Sequence, residues 1–131
     1  MSTEITVLGL AGLLQVIQFL AMAIPANLEL GSDYLMSARD EKPQRSMSTR
    51  TMRLQRAFAN HFEALTFFTL AVVVVTLGTG SSSVTATCAW AYLAARVVYV
   101  PAYVLGWNPG RTIIWGIGFL ATVVMIVAAL L

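Results

Sequence analysis

Three strongly polar side chains stand where an apolar run begins. They are Arg56, Asn60 and Glu63, in the stretch Arg56-Ala-Phe-Ala-Asn60-His61-Phe-Glu63. Steps of four and then three residues stack them on one face of a helix. A charge inside an apolar span costs about 2.5–3.5 kcal/mol on insertion scales, so partners must offset it. A second such face follows, carrying Tyr92, Arg96, Tyr99 and Tyr103 at steps of four, three and four. Arginine binds carboxylates and other anions through paired N–H groups. Tyrosine and asparagine orient what arginine holds, and Glu63 suits an ammonium or amide. With Arg111, three arginines face the single carboxylate of Glu63. That positive excess fits a small anionic ligand or lipid. The simpler alternative is that the two faces are only interhelical glue.

Other reactive residue types carry less. His61 lies about 100° around the helix from the polar face, with no acidic or second histidine partner near it in sequence, which favours a packing or interface role. Cys88 is the only cysteine. It excludes an intrachain disulfide and a cysteine metal cluster, and it reads as a small packing residue. No metal-ligand spacing, Gly-rich phosphate loop or Ser/His/Asp set occurs.

The elements that position these residues follow from composition. Of 131 residues, 58% are hydrophobic and 11% charged, with mean hydropathy +0.77. A soluble domain carries about 25% charged residues, so this is an integral membrane chain and nucleic acid is not its partner. Four stretches are long enough to cross a hydrocarbon core of about 30 Å. They run over about 5–26, 53–77, 84–106 and 111–131. Only helices and closed barrels satisfy their backbone in lipid, and these runs are too long and continuous for barrel strands. The expected fold is all-α, a single four-helix transmembrane bundle over residues 1–131. Gln15 and Gln18 are expected to join helices through hydrogen bonds rather than to hold a ligand, and Pro25 and Asn27 are expected to mark the end of the first span. The last span is expected to be structural and lipid-facing. The start, Met1 to Ala26, lacks the basic region of a signal peptide and carries Glu4.

Topology follows from charge. Residues 28–52 form the only long loop, with room for a short interfacial helix. Arg39, Lys42, Arg45, Arg50 and Arg53 lie in or beside it, whereas both termini and the Gly78–Ser83 turn have no Lys or Arg. The positive-inside rule puts the long loop in the cytoplasm and both termini outside. The short turn makes the second and third spans antiparallel neighbours. Counted from the cytoplasmic end, their polar faces then match: Arg56 with Tyr103, Asn60 with Tyr99, and Glu63 with Arg96. Each face covers roughly 10 Å of depth. Glu63 and Arg96 are expected to form an ion pair near mid-membrane.

Arg56-Ala-x-x-Asn60-x-x-Glu63, followed by Arg96-x-x-Tyr99-x-x-x-Tyr103, resembles the MAPEG family, the membrane-associated proteins in eicosanoid and glutathione metabolism. Helix number, chain length and the long first loop extend the resemblance over nearly the whole chain. It implies a homotrimer of four-helix subunits with glutathione between neighbours near the cytoplasmic face, and no metal. Asn60 and Glu63 would hold the polar parts of glutathione, Arg56 would support them, and Tyr99 and Tyr103 would line the site beside Arg96. Arg111 matches the arginine placed by the thiol, and Thr112 a position where a hydroxyl can occur. The implied reaction is transfer to, or reduction of, a lipophilic electrophile dissolved in the bilayer. Two departures remove positive charge. The first span has no arginine, and Ala59 stands where some members have a basic residue. The composition fits a bacterial member, in an inner membrane. The competing expectations are a protein of the same fold that binds a small anion or lipid without chemistry, and a proton-driven exporter using Glu63.

Overall fold

The computed structural model describes residues 1–43 and 45–131. Five helices make up the regular structure of these residues. They are α1 (Thr3–Leu30), α2 (Ser32–Leu35), α3 (Thr49–Leu77), α4 (Ser83–Val104) and α5 (Gly110–Leu130). Four of the described helices, α1, α3, α4 and α5, are long and apolar enough to cross a membrane. The short α2 occupies the long loop.

Each start is set by local chemistry. Ser2, Ser48 and Ser82 cap α1, α3 and α4, each accepting a backbone N–H of its first turn. Such caps satisfy donors that the helix itself leaves open. Ser82 and Thr85 form a reciprocal capping box. At the α4–α5 turn, Gly106 has φ 73°, and a Cβ there would lie 3.4 Å from Nη1 of Arg53. A side chain would be strained at that angle, although the contact itself would be an ordinary one. Arg53 uses the space to donate from Nη1 to the Val104 carbonyl at 3.0 Å.

The first span continues beyond its expected end. α1 passes through Pro25 and Asn27 to Leu30. Glu29 supplies a reason, because its carboxylate accepts from the Ser48 backbone N–H and from the Thr51 hydroxyl. The last turn of α1 is thereby tied to the first turn of α3. At the opposite end Glu4 is fully buried and accepts from Ser81 at 2.9 Å and from Thr85 at 2.6 Å. One carboxylate at each end therefore fixes α1 against the bundle. We call these the loop end, near Glu29, and the turn end, near Glu4.

The core is built from small, aliphatic and a few aromatic residues. Val7, Ala11, Phe68, Ala71, Val72, Val75, Ala89 and Met125 are among its members. Large apolar residues such as Leu13, Ile17, Leu70 and Leu120 face outward. This outward distribution suits lipid, where helices associate by close packing rather than by hiding apolar surface. The α4–α5 pair has the most extensive contact. Gly118 explains part of it, since a Cβ there would lie 3.4 Å from Cβ of Ala95.

Candidate functional site

The two polar faces meet, but one turn out of the expected register. Nη1 of Arg96 donates to Oδ1 of Asn60 at 3.0 Å. The Arg96 guanidinium also lies over the ring of Tyr99, 4.3 Å from its centroid. Arg96 therefore reaches one turn toward the loop end, where an amide oxygen and an aromatic face receive it. The expected Glu63–Arg96 ion pair does not form. Glu63 is exposed on the lateral surface, and no hydrogen bond or ion pair joins it to another described residue. A bare carboxylate is poorly placed against hydrocarbon, so the lateral face at Glu63 is not simply lipid-facing. Asn60 and Tyr99 do not form a direct rung either; both instead meet Arg96.

Toward the loop end the aromatic column continues. Tyr99 and Tyr103 meet edge-on with centroids 5.8 Å apart. Tyr103 carries two guanidiniums, Arg111 from α5 at 4.6 Å and Arg56 from α3 at 5.9 Å. Cation–aromatic attraction favours both placements. Six of the expected residues, Arg56, Asn60, Arg96, Tyr99, Tyr103 and Arg111, thus form one continuous set across α3, α4 and α5. Thr112 is exposed one residue beyond Arg111, and no described side-chain hydrogen bond brings it to the set.

His61, Gln15, Gln18 and Cys88 lie apart from this set. His61 is fully buried, and its Nδ1 is 2.6 Å from Oε1 of Gln15. This contact is the glutamine-mediated link between α1 and α3, and it gives His61 a packing role. Gln18 is also buried, but neither its amide oxygen nor its nitrogen has a partner among the described residues. Cys88 is partly buried against the apolar core.

α5 is more than a lipid-facing wall. Its Trp115, Gly118, Phe119 and Thr122 line a pocket of about 60 Å³ with Asn60, Glu63, Ala64, Phe67, Tyr92 and Arg96. The hydroxyl of Thr122 donates back to the Gly118 carbonyl at 2.9 Å. The signal available in sequence was helical spacing, since Trp115, Gly118, Phe119 and Thr122 recur at steps of three, one and three. It could not show which neighbour that face meets. Among the described residues no group of three or more His, Cys, Asp and Glu side chains gathers.

Fold and site together define an integral membrane four-helix bundle with a cationic, aromatic-lined cluster at its loop end. The model of the MAPEG family matches residues 7–131, and the chain belongs to that family. Members commonly use glutathione, and the family includes glutathione-dependent transferases and peroxidases as well as non-catalytic proteins. No curated protein and no solved structure matches the chain.

Proposed function

We propose that the protein is a glutathione-dependent transferase or peroxidase acting on lipophilic electrophiles in the membrane. The observation that carries this reading is the placement of Arg111, from α5, and Arg56, from α3, against one tyrosine, Tyr103. Two guanidiniums concentrated there would receive an anionic peptide.

The residues fit glutathione chemically. Its carboxylates match Arg56 and Arg111, and its ammonium matches Glu63, which has no other partner among the described residues. Asn60 has its oxygen committed to Arg96, so its amide N–H groups remain for a carbonyl. Tyr99 and Tyr103 provide a wall. Thr112, exposed beside Arg111, adds a hydroxyl at the rim. When bound, glutathione would supply the thiol. Arg111 would act as the catalytic residue by stabilising negative charge on sulfur, because a neighbouring guanidinium favours thiolate over thiol. The tyrosine beneath fixes where that charge sits.

We further propose a homotrimer. Glu63 on the lateral face would then be covered by a neighbouring subunit instead of lipid. The five basic residues between Arg39 and Arg53 support a cytoplasmic long loop under the positive-inside rule; the proposed setting is a bacterial inner membrane with both termini outside.

The test is turnover of purified protein in nanodiscs with glutathione and either 1-chloro-2,4-dinitrobenzene or cumene hydroperoxide. Wild type should be active, with Arg111→Ala and Glu63→Ala strongly reduced. Equal activity in all three proteins would remove this site. Tight glutathione binding without turnover would select the non-catalytic reading.

A further inference from the structure

The long loop carries a concavity of its own, outside the bundle. Described residues between Leu30 and Arg45 line an open cup of about 790 Å³, within the roughly 300–1,000 Å³ of small-ligand sites. None of its lining residues belongs to the Tyr103 cluster. Arg39 holds its turn. The backbone there is left-handed, at φ 59°, and the guanidinium donates from Nε and Nη2 to the Leu35 carbonyl at 3.2 and 2.9 Å. That carbonyl ends α2, where a helix leaves acceptors without an internal partner. Arg39 is thus committed to the loop. The other charged groups of the lining are Asp33, Asp40, Glu41, Lys42 and Arg45. All are exposed, and no ion pair joins them to another described residue.

The length of α1 sets the depth of the cup. Its 28 residues make about 42 Å of helix. A hydrocarbon core takes about 30 Å, and the headgroup layers bring a bilayer to about 40–45 Å. Leu30, the last residue of α1, lines the cup, which therefore lies at headgroup level. Leu28 and Met36, on either side of it in sequence, are 76% and 87% exposed, which suits acyl chains better than water. Tyr34, half-buried in the lining, is of the residue type that collects at the membrane–water boundary.

We infer that the cup binds the phosphoethanolamine headgroup of a phospholipid in the leaflet at the loop end. Lys42 and Arg45 donate to its phosphate, a charge-assisted contact, and its ammonium donates to Asp33 and Asp40. Charge selects this headgroup. Three carboxylates against two uncommitted cations disfavour a purely anionic one. A choline headgroup carries both signs but has no N–H to donate, and a single tyrosine is not the aromatic cage that a quaternary ammonium uses. The inference does not depend on the thiol reaction proposed above.

Native mass spectrometry of the whole protein, titrated with phospholipids of identical acyl chains, tests it. Phosphatidylethanolamine should bind about fivefold more tightly than phosphatidylcholine or phosphatidylglycerol, the upper range for exposed charge contacts. Asp33→Asn combined with Asp40→Asn should abolish that preference and leave phosphatidylcholine unchanged. Lys42→Gln combined with Arg45→Gln should weaken all three lipids, because each carries the phosphate. Arg50→Gln, exposed in the same stretch but outside the cup, should weaken none. Equal affinity of wild type for the ethanolamine and choline lipids would overturn the inference. So would a preference that survives in the paired Asn variant. Equal weakening by Arg50→Gln and by the Lys42 and Arg45 pair would also overturn it, as general attraction by loop charge. Soluble glycerophosphoethanolamine binding as tightly as the intact lipid would reject the membrane as the source of the ligand.

Discussion

Arg96 and Asn60 are joined at 3.0 Å by a hydrogen bond from Nη1 to Oδ1, which links α4 to α3 inside the bundle. A single amide thus serves as the described hydrogen-bonding partner of a buried guanidinium. Asn60→Ala should lower stability by about 1–3 kcal/mol, the cost of leaving a buried polar group unmet. Asn60→Asp should retain most of it, because a carboxylate can accept the same N–H. Thermal unfolding in detergent would compare the two, and equal losses would show that this bond contributes little.

Glu63 should separate function from stability. It is exposed and without a described partner, and exposed substitutions usually change stability by no more than about 0.5 kcal/mol. Glu63→Gln should therefore unfold like wild type while binding glutathione about tenfold more weakly, the scale of one charge-assisted bond. Calorimetric titration beside a melting curve reads both. A large fall in melting temperature would give Glu63 a structural role instead.

Glu4 should matter more than its terminal position suggests. Its buried carboxylate accepts from Ser81 and Thr85, tying the start of α1 to the start of α4. Glu4→Ala should cost about 1–3 kcal/mol. Ser81→Ala, which leaves the Thr85 bond in place, should cost less. Chemical unfolding of both variants would establish the order.

Glu29 forms the equivalent tie at the loop end, on a half-buried surface. Glu29→Ala should remove both bonds at little cost to global stability, because the carboxylate is open to solvent. Its clearer effect should be local: faster proteolysis between Met36 and Pro43 with little change in global unfolding. Unchanged cleavage would mean that the end of α1 is held by other contacts.

Gln15 and His61 should be energetically coupled, because their contact at 2.6 Å joins α1 to α3. Gln15→Leu and His61→Phe should each destabilise. The double variant should lose less than the sum, by about 0.5–3 kcal/mol. Strict additivity would make the contact incidental.

The sequence by itself determined the membrane-spanning all-α character, because only helices or barrels satisfy backbone groups in lipid and the apolar runs are helix-length. It also revealed the polar faces, because a helix converts spacing directly into angle. Arg56 and Tyr103 could be matched from the two helices of an antiparallel pair on that basis. Spacing within a helix does not fix how far one helix slides along another, or where a long guanidinium ends. Those were decided by tertiary structure. Arg96 reaches a full turn, onto Tyr99 and Asn60, leaving Glu63 at the lateral surface. The contribution of α5 was equally hidden, because Trp115, Phe119 and Thr122 resemble lipid-facing residues until the close approach at Gly118 sets them beside Tyr92. Likewise, Glu4 and Glu29 read as ordinary helix-end charges. Their role as ties depends on hydroxyl and amide donors from segments distant in the chain, which only folding brings within hydrogen-bond reach.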